Sequence, residues 1–222
     1  MKKIIIILLL TTTVVFSQEE RTINLGDFNT IKTYRGLHVE LERSDNPKIK
    51  ITGSKSKEVN VKNSNGVLKI SLTVLETFSA DEVNIIVYYN DNLDHLSANE
   101  GSVIFSNNKI KIKKLYLKAT EAAEINLNIK SDYIEVKAYT GGIVKLEGSV
   151  NNQNITANTG GFYKGSDLES EDTTVKVFTG GDATVNASKL VDANASMGGI
   201  IRIKGDPKKV NKKESLGGYI RN

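Results

Sequence analysis

The chain has no cysteine and no tryptophan among its 222 residues, and only two prolines and two histidines. Each scarcity excludes something. Without cysteine there is no disulfide framework, no thiolate-held zinc or iron–sulfur centre and no thiol nucleophile. His38 and His95 are too few for a multi-histidine metal site within one chain. Scarce proline suits ladders of backbone hydrogen bonds, which proline interrupts. No segment sustains a helical period. What is plentiful is glycine, 18 residues of it, alongside frequent asparagine. That mixture fits short strands joined by tight turns. The length is enough for one domain with a real core.

The first residues read as an export signal. Lys2 and Lys3 form a positive start, and an unbroken apolar run follows from Ile4 to Leu10. Val15 and Ser17 suit the −3 and −1 sites of a signal peptidase, so cleavage is expected after Ser17. The apolar stretch is about half of the ~20 residues a membrane span needs. The expected organisation is thus a signal over 1–17 and one domain over 18–222, with no membrane span after cleavage. Removing Lys2 and Lys3 leaves 28 basic against 26 acidic side chains, a net charge of +2 rather than +4. That balance gives no ground for a nucleic-acid partner. The expected destination is the periplasm, the outer surface or the medium.

A repeat organises the rest. Gly-Gly occurs at Gly141-Gly142, Gly160-Gly161, Gly180-Gly181, Gly198-Gly199 and Gly217-Gly218, at spacings of 19, 20, 18 and 19 residues. Ala122-Ala123 and Gly101-Ser102 are degenerate copies, and Gly36 starts an earlier one. Apolar residues recur at fixed distances from each doublet. Leu117, Val136, Ile155 and Val175 stand five before it, and Ala98, Ala119, Ala138 and Ala157 three before. Ile104, Ile125, Val144 and Tyr163 stand three after. Polar residues fill the gaps, with Lys118, Lys137, Thr156 and Lys176 four before. This alternation is the signature of half-buried strands.

Each unit therefore reads as strand, small-residue corner, strand and polar turn, the turns including Asn151-Asn152 and Gly205-Asp206-Pro207. A unit of this size cannot bury its own apolar side, so copies must stack. The expected fold is an all-β, right-handed parallel β-helix, its hand taken from the general crossover preference. An antiparallel sandwich or barrel is the alternative. The interval from Gly36 to Gly101 leaves room for about three more coils by the repeat length. Asp45-Asn46-Pro47 and Ser64-Asn65-Gly66 there read as hairpin turns. The regular part runs over 96–222 and the less regular part over 18–95.

Several segments resemble the bacterial putative auto-transporter adhesin family with a head GIN domain. They are Phe28 to Leu41, Ile49 to Gly53, Gly66 to Ile70, the Gly-Gly coils, and Ile201 to Ile220. The resemblance covers roughly residues 23–222. It implies a secreted or cell-envelope β-helical protein and brings no catalytic motif with it.

Chemistry is sparse. Glu100, Glu121 and Glu124 can line one edge, but the track continues as Thr140, Thr159 and Thr179, which reads as a short hydroxyl ladder. Asp167, Glu169, Glu171 and Asp172 cluster in what reads as a long turn, where calcium is the one metal to consider. The polar-turn reading is preferred, so no metal, cofactor or catalytic residue is assigned. Tyr139 and Phe178 fall at the outward position two before the corner and are the candidate ligand contacts. The corner glycines, from Gly101 and Gly141 to Gly218, are assigned a structural role. Three functions remain open: a non-enzymatic surface-interaction module, a carbohydrate-active β-helix enzyme, and a structural envelope protein. The expected partners are a surface glycan or protein, and a second copy of the chain through an end or side face.

Overall fold

The computed structural model describes residues 20–73 and 83–222. The expected signal over 1–17 lies outside them. They form a β-solenoid of about seven turns with coils about 19 residues apart. Short strands open the chain: β1 (Glu20–Asn24), β2 (Thr30–Thr33), β3 (His38–Arg43), β4 (Lys48–Thr52), β5 (Val59–Ser64), β6 (Val67–Leu72), β7 (Asn84–Tyr89), β8 (His95–Ala98) and β9 (Val103–Phe105). Long strands follow: β10 (Ile110–Thr120), β11 (Glu124–Tyr139), β12 (Ile143–Asn158), β13 (Phe162–Val177) and β14 (Asp182–Ser196). The last coil holds β15 (Ile200–Lys204), β16 (Lys209–Ser215) and β17 (Tyr219–Arg221).

Each long strand wraps two sides of its coil. In β11 burial alternates from Glu124 to Asp132, slips by one residue at Tyr133, and alternates again to Tyr139. The slip is a bend that passes the chain from one sheet to the other. Asn151-Asn152, expected as a turn, is this bend inside the continuous strand β12. Gly205 to Pro207 does interrupt the ladder, between β15 and β16.

Two sheets face each other across the core. The first stacks β5, β6, β2, β8, the later halves of β10 to β14, and β16. The second stacks β1, β4, β7, β3, β9, the earlier halves of β11 to β14, β15 and β17. Coil contacts are parallel, and in register except where β13 meets its neighbours. The inward rows expected from the repeat are the core: Leu117, Val136, Ile155 and Val175, the alanines from Ala98 to Ala157, and Ile104, Ile125, Val144 and Tyr163 are all buried.

The two glycines of a doublet serve different ends. At Thr159-Gly160 both residues have positive φ, 49° and 68°, which makes the tight corner. Gly161 has ordinary φ, but a Cβ there would collide with the carbonyl of Ala138 on the preceding coil. The first glycine answers a backbone conformation and the second a close approach. The other four doublets repeat this division. In earlier coils the second position holds Leu37, Ser102 and Ala123, all buried, so that corner narrows along the stack.

Three expectations are corrected. No coil intervenes between Gly36 and Gly101: β2 pairs directly with β8, and β3 with β9. The residues between them extend the sheets as β4 to β7. Ser64-Asn65-Gly66 is a hairpin turn, with Ser64 paired to Val67 and positive φ at Asn65 and Gly66. Asp45-Asn46-Pro47 is not one, because β7 lies between β3 and β4. Nor do Asp167 to Asp172 form a turn. They run within β13, where register shifts absorb the longer repeat.

Polar side chains at core-side positions mark the two ends. Arg21, paired to Ile51, sends Nη1 across to the Val59 carbonyl at 2.9 Å. Asn63, paired to Leu68, donates to the carbonyls of Leu25 and Asp27. In the last coil Lys212 and Glu214 take the rows of Ala193 and Ala195. Glu214 Oε1 accepts the Ile220 backbone N–H at 2.6 Å. Inward charges of this kind blunt a sheet end against edge-to-edge pairing.

Candidate interaction surface

The corner edge shows how the acidic candidates are disposed. Arg35, Glu100, Glu121, Thr140, Thr159 and Thr179 occupy equivalent corner positions, all with positive φ. Main-chain bonds tie this edge together: Gly101 N–H to the Glu121 carbonyl, Gly141 to Thr159, and Gly160 to Thr179. Thr140, Thr159 and Thr179 thus stack along one edge that these backbone bonds hold in line. Arg35 Nε lies 3.7 Å from Glu100 Oε2, so an acid of the edge already faces a cation. Glu171 pairs with Lys189 at 2.7 Å. Among the described residues no group of three or more His, Cys, Asp and Glu is placed to hold a metal ion.

The outer face of the first sheet is different in kind. His95 opens β8, and its ring stacks on Tyr116 with centroids 4.4 Å apart and planes at 12°. Tyr133, one coil on, meets Tyr116 edge-on at 6.4 Å. Lys114 Nζ lies 4.6 Å from the Tyr116 ring centre and 5.4 Å from that of Tyr133. Hydrogen bonding to Tyr116 holds the Lys114 ammonium above its usual range. Lys69 Nζ sits 4.6 Å over Tyr34. Of these groups Tyr34, His95 and Tyr116 line an open groove of about 320 Å³, together with Lys32, Lys118, Lys137 and the acid Glu135.

Strand register aligns the lysines along the solenoid. Lys62 of β5 pairs with Lys69 of β6, and Lys69 with Lys32 of β2. Ser97 follows, then Lys118 and Lys137 side by side. Thr156, Lys176, Asn194 and Lys213 complete the row. Acids on this face lie in adjacent rows, where Glu135 pairs with Lys137 at 2.7 Å and Asp172 and Asp192 lie further along. The outer face of the second sheet instead mixes signs, with Lys130, Lys145, Lys164 and Arg202 among Glu124, Glu147 and Asp182.

Tyr139, at the end of β11, and Phe178, just past the end of β13, lie two coils apart on the outer side of the first sheet, with Asn158 between. Both are half-buried rather than exposed. Among the described residues the more exposed aromatics are Phe162 and Tyr219, on the second sheet. The aromatic and lysine face was not anticipated from sequence. Its signal was the lysine four before the corner, which Lys32 shares relative to Gly36, but Lys62 and Lys69 join that row only through the inserted strands.

A two-sheet solenoid with a chemically patterned side belongs to the class of β-helical repeat proteins. The chain belongs to the family described as putative auto-transporter adhesin, head GIN domain, whose model matches residues 27–207. Three solved structures share the fold. A putative adhesin from Bacteroides fragilis is 18% identical with a TM-score of 0.82, covering 93% of this chain and 97% of its own. A putative adhesin from Parabacteroides distasonis is 21% identical with a TM-score of 0.71, covering 92% and 96%. A putative lipid binding protein from Parabacteroides distasonis is 18% identical with a TM-score of 0.70, covering 94% and 98%. A comparison with curated proteins finds no match.

Proposed function

We propose that this chain is an exported, non-enzymatic solenoid that works by contact, as an adhesin-type surface-interaction module. The observation that carries the reading is the outer face of the first sheet. It presents lysines aligned across in-register strands, with Tyr116 and Tyr133 in the rows beside them. Of the acids weighed for catalysis, Glu100 faces Arg35 and Glu171 is paired with Lys189. Family membership and the names of the structural neighbours support the same reading. Among the described residues no helix is long and apolar enough to cross a membrane. Export and a cell-envelope or secreted location rest on the amino-terminal sequence.

The test is a binding screen of residues 18–222 against a panel of glycans and matrix proteins, with cell fractionation of the full chain. Retention of at least one panel member, without turnover, is the expected outcome. Release of shortened or unsaturated sugars would establish the enzyme instead. Silence across the whole panel would favour a structural envelope role.

A further inference from the structure

The lysine row holds more like charge than sheet stability favours. Lys62 lies opposite Lys69, Lys69 beside Lys32, and Lys118 beside Lys137. Directly opposed like charges destabilise a sheet. Among the described residues, Lys32, Lys62, Lys118, Lys176 and Lys213 have no ion pair. Local rules broken without a structural return mark functional sites.

We propose that this row binds a linear acidic polysaccharide laid along the solenoid axis. The proposal rests on the contact reading above and names its ligand class. Charge complementarity selects a polyanion, and the geometry selects an extended one. Ten rungs at ~4.8 Å make a straight stripe about 43 Å long. Ser97, Thr156 and Asn194 interrupt the lysines, so that from Lys32 to Lys118 and from Lys137 through Lys176 to Lys213 the cations recur every second rung, or ~9.6 Å. That step is of the order of a disaccharide repeat. Hydroxyl and amide groups fill the intervening positions and can bond to sugar hydroxyls. Lysines act here as flexible point charges, suited to carboxylates and sulfates alike.

The same face fits two other polyanions less well. Single-stranded nucleic acid needs open aromatic faces on which bases stack. The Tyr116 ring is already engaged by His95 and Lys114. An anionic membrane is gripped by apolar side chains that enter its interface. The lysine row carries none, its other members being Ser97, Thr156 and Asn194.

The experiment uses residues 18–222 and measures affinity for dextran sulfate and alginate, one sulfated and one carboxylated. Neutral dextran, an oligo-dT strand and phosphatidylglycerol vesicles serve as comparisons. Binding to at least one acidic polysaccharide is expected at 50 mM salt, weakening on the order of 100-fold by 200 mM as released counterions are opposed. The triple variant Lys32→Gln, Lys118→Gln, Lys137→Gln should lose at least about ten-fold. Lys130→Gln, Lys145→Gln, Lys164→Gln has the same net charge but changes the second sheet, and should bind as the parent does. Circular dichroism establishes that both variants are folded.

Equal loss in the two triples would overturn the proposal, because net charge alone would then explain binding. So would tighter binding to oligo-dT or to vesicles, or no binding to either acidic polysaccharide. If a neutral glycan or a protein binds while both acidic chains are ignored, this inference falls and the contact function stands. If nothing binds in either experiment, both fall.

Discussion

The Tyr163 hydroxyl donates a 2.6 Å hydrogen bond to Gln153 Oε1 inside the core, ten residues back along the chain. Gln153 Nε2 donates in turn to Ser170 Oγ at 3.0 Å and to Thr173 Oγ1 at 2.9 Å. All four side chains are buried. The tyrosine occupies a row otherwise filled by Ile, Val and Ala, and it fits because Gly165 has no Cβ to meet its ring. Burial pushes the phenol pKa well up, so it stays a donor at any ordinary pH.

Tyr163→Phe removes the donor and leaves the Gln153 oxygen buried without a partner. The expected loss is about 1–3 kcal/mol by urea denaturation. Because Gln153 reaches three groups, Tyr163→Phe and Gln153→Leu should not be additive. Additive losses would show that the pair is not coupled.

The division of labour within each doublet makes a sharper test. Gly161→Ala places a methyl against the Ala138 carbonyl, and overpacking of this kind costs about 1–3 kcal/mol or more. Gly160→Ala meets no atom within 4 Å and suffers only the left-handed backbone, at roughly 1–2 kcal/mol. Gly161→Ala should therefore have the lower melting temperature. The reverse order would refute the close-approach account.

Thr140, Thr159 and Thr179 are β-branched residues held at φ of 49°, 49° and 46°. Such residues are genuine outliers there, whereas asparagine tolerates the region. Thr179→Asn should raise stability by a few tenths of a kcal/mol to about 1. A drop in melting temperature would mean that the hydroxyl or methyl contributes more than the strain removes.

The lysine row should also be visible without any ligand. Lys118→Thr copies the Thr156 position two coils on and relieves repulsion with Lys137. At low salt it should stabilise the fold by a few tenths of a kcal/mol. That gain should shrink near 1 M salt, where charges are screened within about 3 Å. A gain that persists at 1 M salt would point to strand propensity instead.

The inner rows were legible in the sequence because one residue in two must be apolar on a half-buried strand. Ala138 and Ile155 lie where the spacing from Gly141 and Gly160 placed them. The insertion was not legible as such. Lys69 precedes Ser97 by 28 residues in sequence, yet Lys32 alone separates them in the sheet. Hydrophobic alternation says which side of a strand faces in, and nothing about which strand lies next to it. The long strands were underestimated for a related reason. A bend such as that at Tyr133 shifts the alternation by one residue without needing glycine or proline.

Thr33 Oγ1 and Ser102 Oγ meet at 2.7 Å across 69 residues of chain, where later coils close after about 19. Loop-closure entropy grows only with the logarithm of length, so the longer excursion adds about 1 kcal/mol. Connectivity is thus a weak guardian of alignment at this one joint. Where later coils are indexed by their own short tether, here the hydroxyl pair and the Asn99 amide on the Thr33 carbonyl join the strand ladders in keying one block of the lattice to the next.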